Sequence, residues 1–189
     1  MKRIIAGLFA VMLIIPSAFA VDLYIDTNKI ETDTPPAIVD GRTLVPFRAI
    51  FEALGAEVRW DKETHTATGT RDGIVIEIPI GSTTAYVNGE AKELDVPAQI
   101  INDRTMVPAR FISETLNCKV TWDGHTKTAA VADKLRDYQI YVTPTGQRYH
   151  FDEHCNGGTY KLSTLAEAMG RGLTPCNKCV VPVLNSNGQ

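Results

Sequence analysis

Three cysteines, Cys155, Cys176 and Cys179, fall within one 25-residue window near the end of the 189-residue chain, and His150 and His154 stand just ahead of them. A Cys-x-x-Cys pair offers two thiolates from a single turn. A third cysteine and an imidazole complete the donor set of a closed, structural tetrahedral zinc site. His150 is the preferred fourth ligand, because a residue leaving a hairpin strand can point back across to the cysteine turn; His154, adjacent to Cys155, is the alternative. A disulfide from Cys155 to Cys176 or to Cys179 competes for the same sulfurs, but it would leave one thiol over, a poor arrangement in an exported protein. Redox catalysis by the Cys-x-x-Cys pair lacks the strand-helix context of a thioredoxin-like site. Structural Zn2+ is therefore favoured, with the disulfide left open. Cys118 lies apart from this window and reads as a small buried apolar residue.

The elements that must hold those ligands can be read on either side of them. Tyr138 to Val142 and Arg148 to His150 alternate like strands around the turn Thr143-Pro144-Thr145-Gly146. Gly157-Gly158 bends the chain, and a helix is predicted from Ser163 to about Gly170, with Thr164 and Glu167 spaced as a capping box. Residues 138–180 thus form a small metal-binding module, preceded by a charged linker at 133–137 and followed by a flexible tail at 181–189. So short a unit cannot bury enough apolar area alone, so a staple is expected.

Upstream, one pattern occurs twice. Residues 35–66 aligned without a gap on residues 97–128 give 15 identities in 32 positions, among them Arg42/Arg104, Arg48/Arg110, Glu52/Glu114 and Trp60/Trp122. Such self-similarity marks an internal repeat, extending over about 35–70 and 97–132. In the first copy Pro46 suits the first turn of a helix, Ala49, Ile50, Ala53 and Leu54 form an apolar stripe, and Gly55 stops it. Alternating strands follow, with Asp61-Lys62-Glu63, Asp72-Gly73 and Asn88-Gly89 as turns. Val21 to Ile25 opens the mature chain as a hairpin strand. In the second copy Asn117 replaces the helix-ending Gly55, and a left-handed Asn cap is expected there. The predicted fold class is α+β: two related units of a short helix packed on antiparallel sheet, followed by a small Cys/His-stapled hairpin-helix module.

Lys2-Arg3, the apolar run Ile4 to Ile15 and Ala18-Phe19-Ala20 read as a secretory signal peptide over residues 1–20, cut before Val21. The apolar run is too short for a membrane span, so no transmembrane segment is expected after cleavage. Removing Lys2 and Arg3 takes the balance from 19 basic against 22 acidic to 17 against 22, a net charge of −5. A mildly acidic chain has no general basic footprint for nucleic acid.

The doubled segment resembles the copper amine oxidase N-terminal-like, or stalk, domain of exported bacterial proteins. The residues that carry this are Ile38-Val39-Asp40-Gly41-Arg42-Thr43-Leu44-Val45-Pro46-Phe47-Arg48, Leu54 to Asp61, Ile80-Gly81-Ser82 with Val87-Asn88-Gly89, and the second copy, over residues 21–132. The resemblance implies a small α+β unit joined to other cell-envelope modules and lying apart from any amine oxidase chemistry. That chemistry uses copper on three histidines and a tyrosine-derived quinone in a large catalytic domain. The four histidines here include His65 and His125, at positions that do not correspond between copies, so neither copper nor quinone is expected. The 138–180 segment is distantly similar to the cysteine-rich, zinc-binding N-terminal domain of DNA-alkylation-repair methyltransferases, which implies metal binding through Cys155, Cys176 and Cys179.

Arg48 and Arg110 invite reading as an anion or glycan clamp, and Trp60 and Trp122 as stacking platforms. The structural reading is favoured: each Arg paired with the carboxylate one turn on, Glu52 or Glu114, and each Trp packed on its helix. No stretch pairs a nucleophile with an oriented base, so no catalytic residue is assigned. The expected function is that of an exported, non-catalytic protein, secreted or at the cell surface, whose partner is a cell-wall component or an envelope protein. The alternative is an enzyme or enzyme subunit using the cysteine module.

Overall fold

Turn chemistry sets the strand lengths in this chain. The computed structural model describes residues 21–186; the predicted signal peptide, and residues 187–189 of the predicted tail, lie outside the described residues. The first strands are β1 (Asp22–Ile25), β2 (Asn28–Lys29), β3 (Ala37–Val39) and β4 (Arg42–Pro46), followed by helix α1 (Phe47–Ala53). The chain then runs up and down through β5 (Glu57–Asp61), β6 (Thr66–Arg71), β7 (Ile74–Pro79), β8 (Thr84–Val87) and β9 (Glu90–Glu93). Asn88 and Gly89 both take positive φ, 50° and 81°, as the two-residue turn between β8 and β9 requires. The next residues build β10 (Gln99–Ile101), β11 (Arg104–Pro108), α2 (Ala109–Thr115), β12 (Lys119–Asp123) and β13 (Thr128–Ala132). Last come β14 (Ile140–Val142), β15 (Arg148–His150), β16 (Lys161–Ser163), α3 (Leu165–Gly170), β17 (Thr174–Pro175) and α4 (Val181–Ser186).

These strands form four sheets, ordered β10-β11-β4-β3, β5-β6-β7-β8-β9, β12-β13-β1-β2 and β16-β14-β15-β17. The first joins the two halves of the stalk through antiparallel β4 and β11. Its neighbours are the two helices, α1 against β11 and α2 against β4, so each helix covers the strand of the other half. Phe47, Ile50 and Phe51 of α1 and Ile112 of α2 are buried in the shared core. Asn117 ends α2 with φ 55°, the left-handed conformation expected there, where Gly55 ends α1 with φ 77°.

Strand β13 is buried along its whole length, which its sequence, Thr-Ala-Ala-Val-Ala, explains. Ala129 and Val131 face the stalk core, while Ala130 and Ala132 join a second core with Leu165, Ala166 and Met169 of α3. Small side chains let a helix approach closely. A Cβ added at Gly170 would lie 2.0 Å from the Thr126 hydroxyl oxygen, so only glycine permits the last turn of α3 to rest on the β12–β13 turn. The Thr121 hydroxyl accepts the backbone N–H of Ala166, fixing the first turn of α3 on the same sheet.

Four expectations need correction here. The sheets are not purely antiparallel: β1 runs parallel to β13, and β15 parallel to β17. The 138–180 segment does not rely on its staple alone, because it shares a core with the stalk sheet. Residues 133–137 are not a free connector: Leu135 is buried, the Asp26 carboxylate accepts the N–H groups of Asp133, Lys134 and Leu135, and Arg71 pairs with Asp133 at 2.8 Å. The tail begins as helix α4, whose Leu184 packs on the second core.

Candidate metal centre

The β14–β15 hairpin delivers His150 at the end of β15, where its neighbour Tyr149 is fully buried. Parallel pairing with β17 brings Thr174 and Pro175 beside Arg148 and Tyr149, and the Cys176 N–H donates to the Tyr149 carbonyl at 3.1 Å. The Cys-x-x-Cys turn is thereby set next to the histidine strand. Its carbonyl at Cys176 accepts N–H groups from Val180 and Val181, each at 3.0 Å, so the turn leads directly into α4. Cys155 arrives from the other side on a turn in which Asn156 and Gly157 take φ of 60° and 67°.

The ligand atoms of His150, Cys155, Cys176 and Cys179 all lie within 4.8 Å of one another. Cys155 Sγ is 3.7 Å from Cys176 Sγ, and Cys179 Sγ is 3.6 Å from His150 Nδ1. A tetrahedral ion with bonds of about 2.3 Å to sulfur and about 2.1 Å to nitrogen separates two sulfurs by about 3.8 Å and a sulfur from a nitrogen by about 3.6 Å. The donor set fits a metal ion of that size, and all four cysteines are free thiols. His154 is not part of the group; its ring is exposed and lies 3.9 Å from Asp152 and Glu153.

Electrostatics prepares the same four groups. Burial, reinforced by Arg148 and opposed by Asp152, lowers the His150 pKa and keeps the ring neutral with its lone pair available. Burial also pushes the Cys155 thiol up to about 12, with Cys179 and Cys176 adding to the effect, so a thiolate there calls for a cation beside it. Burial acts against Cys176 too, but the N–H groups of Lys178 and Cys179, together with the Cys155 and Cys179 side chains, outweigh it and hold that thiol below its ordinary value; the Lys178 N–H lies 3.5 Å from the sulfur. Tyr160 stands edge-on to the His150 ring, centroids 4.6 Å apart, and its hydroxyl donates to the Cys155 carbonyl. Only an aromatic residue shortly after Cys155 marks that support in the chain. His150, Cys155 and Cys176 are nearly sealed from solvent; an ion held by all four protein donors would have no position left for a substrate.

The other singled-out residues stay apart. Cys118 is half-buried, 3.6 Å from Asp133. Arg48 pairs with Glu52 at 3.2 Å as expected, whereas Arg110 turns from Glu114 to Asp95 at 3.4 Å. Trp60 and Trp122 do not pack away on their helices: they are 37% and 38% exposed. His65 meets the edge of Trp60 at 6.3 Å.

Residues 24–131 match the family model described as "Copper amine oxidase N-terminal domain". Among similar proteins, a "Primary amine oxidase" of Klebsiella aerogenes is 31% identical over 71 residues, 38% of this chain. A "Protease inhibitor" of Brevibacillus choshinensis is 31% identical over 77 residues, 41% of this chain. The alignments span only 9% and 24% of the length of those two relatives. The candidate metal centre lies beyond the matched residues, which make up more than half of the chain, and on that match the chain belongs to the copper amine oxidase N-terminal domain family.

Proposed function

We propose that this protein is an exported, non-catalytic binding module of the cell envelope, built from a duplicated stalk unit and locked at its C-terminal end by a structural Zn2+ on His150, Cys155, Cys176 and Cys179. The observation that carries the zinc assignment is the pair of spacings, 3.7 Å and 3.6 Å, in a Cys3His set of which three members are buried and Cys179 is half-buried. Zn2+ would supply folding free energy there and no chemistry. The chain's own residues orient the ligands: Tyr149 fixes the cysteine turn through its carbonyl, and Tyr160 props the His150 ring. Binding as the task of the stalk is supported by its family and by the name of the Brevibacillus relative. The partner is a cell-wall component or an envelope protein, and a net charge of −3 for the full chain argues against nucleic acid. Among the described residues no helix is long and apolar enough to cross a membrane.

The test is metal and thiol content of residues 21–189 purified without a chelating tag, followed by retention on purified cell wall. One zinc per chain, lost in Cys176→Ser together with the fold of 138–180, supports the metal assignment. Two thiols missing until reductant is added would replace zinc with a disulfide. Retention no greater than that of a control protein would remove the envelope reading. A second reading, an enzyme or enzyme subunit using the cysteine module, draws on the lowered Cys176 thiol. Turnover of a thiol substrate by the zinc-free protein would favour it.

A further inference from the structure

The two exposed tryptophans occupy equivalent positions in the repeated segments, as do two exposed isoleucines, Ile38 and Ile100. Their surroundings differ. Trp60 and Ile100 face a cleft of about 680 Å³, within the range of about 300–1,000 Å³ usual for ligand sites. Its floor is small, with Ala49 and Ala67, and Ala67 is the cross-strand neighbour of Trp60. In the other half Phe111 stands at the position of Ala49 and Thr121 at that of Arg59. Thr121 is in addition engaged with α3 through its hydroxyl. The Trp60 indole meets His65, whereas the equivalent of His65 is Lys127. The residues around Trp60 therefore differ in bulk and charge from those around Trp122, and the cleft at Trp60 is completed by Ile100 and Arg104 of the second segment.

The polar lining narrows the ligand class. Arg48, Arg59 and Arg104 are nearly balanced by Glu31, Asp33, Glu52 and Asp103, so the cleft favours neither a strong anion nor a cation. Arg48 is held by Glu52, and Arg104 by Asp33, which leaves donors and acceptors side by side and already oriented. Paired donors and acceptors match adjacent hydroxyl groups, and an exposed indole face matches the C–H face of a pyranose ring. We propose that the Trp60 cleft is a glycan-binding site taking neutral sugar residues of a polysaccharide chain, with Trp60 as platform and the Arg48–Glu52 and Arg104–Asp33 pairs as hydroxyl clamps. This rests on the envelope-binding reading and gives it a chemical target.

The experiment is a titration of the full metal-loaded chain with cellotetraose and, separately, chitotetraose, followed by tryptophan fluorescence and by the two indole N–H signals in NMR. Saturable movement of the Trp60 signal, with Trp122 unmoved, is expected with at least one of the two. Trp60→Leu and Arg48→Gln each weaken binding at least about tenfold, while Trp122→Leu leaves it within about twofold; thermal melts check that each variant is folded. No saturable shift by about 10 mM of either saccharide, or equal loss in Trp122→Leu, overturns the site. Retention on cell wall without any Trp60 response would sink the cleft while leaving the envelope reading intact. Saccharide binding without retention would do the reverse.

Discussion

Val45 lies directly opposite Val107 in the antiparallel ladder, and each sits 62 residues from the other at the same place in its own segment. The flanking pairs, Pro46 with Met106 and Pro108 with Leu44, exchange under the same offset. So do two ion pairs at the rim, Arg42 with Asp95 and Arg104 with Asp33. An approximate two-fold axis thus passes between the valines, and each half contributes the same surface to the joint.

Because both valines are fully buried at that axis, Val45→Ala and Val107→Ala are expected to cost about 1–3 kcal/mol each. They are in contact, so the double variant should depart from the sum of the singles by more than the ~0.5 kcal/mol seen for independent sites. Urea unfolding of the four proteins of the cycle measures both quantities; strict additivity would contradict the contact.

The segments are equivalent in backbone but not in volume. Phe51 lies so close to Gly69 that an added Cβ would sit 2.0 Å from its ring. The corresponding residues of the second segment are Ser113 and Val131, large and small exchanged between helix and strand. Gly69→Val alone should fail to fold or lose more than about 3 kcal/mol, and Phe51→Ser in the same chain should restore part of the loss. Expression as soluble protein and denaturant midpoints decide this.

Gly170→Ala tests how α3 is seated on the sheet. The methyl group meets the Thr126 hydroxyl at 2.0 Å and that of Thr128 at 2.7 Å, and a loss of about 1–3 kcal/mol is expected. The same change at an open helix position would stabilise slightly, so a raised melting temperature would show that the packing is looser than described.

The pH response should carry a signature of Glu167. Burial alone raises its pKa, but Ser163, Lys161 and Arg171 outweigh that and hold the folded carboxyl below its ordinary value of 4.5. A depressed carboxyl stabilises above its unfolded value, and that contribution disappears as pH falls through the folded one. Glu167→Gln should therefore be less stable than the parent at pH 7, by under about 1 kcal/mol because the partners are partly solvated. The difference should close as pH falls below 4.5 and through the lowered folded value.

Cys118 gives a fifth observable. Burial first, then the Asp133 carboxylate, push its thiol up to about 11, against the opposing effect of Arg71. In the folded protein at pH 8 it should alkylate far more slowly than a free cysteine. Asp133→Asn should speed the reaction and also destabilise the chain by about 2 kcal/mol or more, because Arg71 loses its partner in a mostly buried pair. Mass spectrometry of timed iodoacetamide quenches reports the rate.

Local signals in the sequence were legible because local physics decides them. Asn88-Gly89 demanded its turn, Thr164 caps α3 by accepting the Glu167 N–H at 3.1 Å, and Pro46 marks the start of α1. The ligand set was readable because Cys-x-x-Cys brings its own geometry, and the structure gathers His150 and Cys155 to it. What escaped were choices made over long distances. Nothing in Asp22 to Ile25 names β13 as a partner, and the alanines of β13 look unremarkable until both faces are covered. Asp33 and Asp95 lie just before the aligned segments, so the cross-joint ion pairs were missed. A Trp at the end of an alternating strand is expected to pack on its helix, yet both indoles stay partly at the surface.

The parallel pairing of Asp22 with Thr128 also sets an order of events. A chain synthesised from its N-terminus makes β1 first and must wait about a hundred residues for the strand it pairs with. Until then β1 has only β2, and a two-stranded hairpin is marginal in water. The meander β5 to β9, all neighbours in sequence, has no such wait. Closure of β1 onto β13 is the step with the longest loop, and the most sequence-distant contacts are the slowest to form. The meander is therefore expected to form early, and the first strand to be among the last to lock.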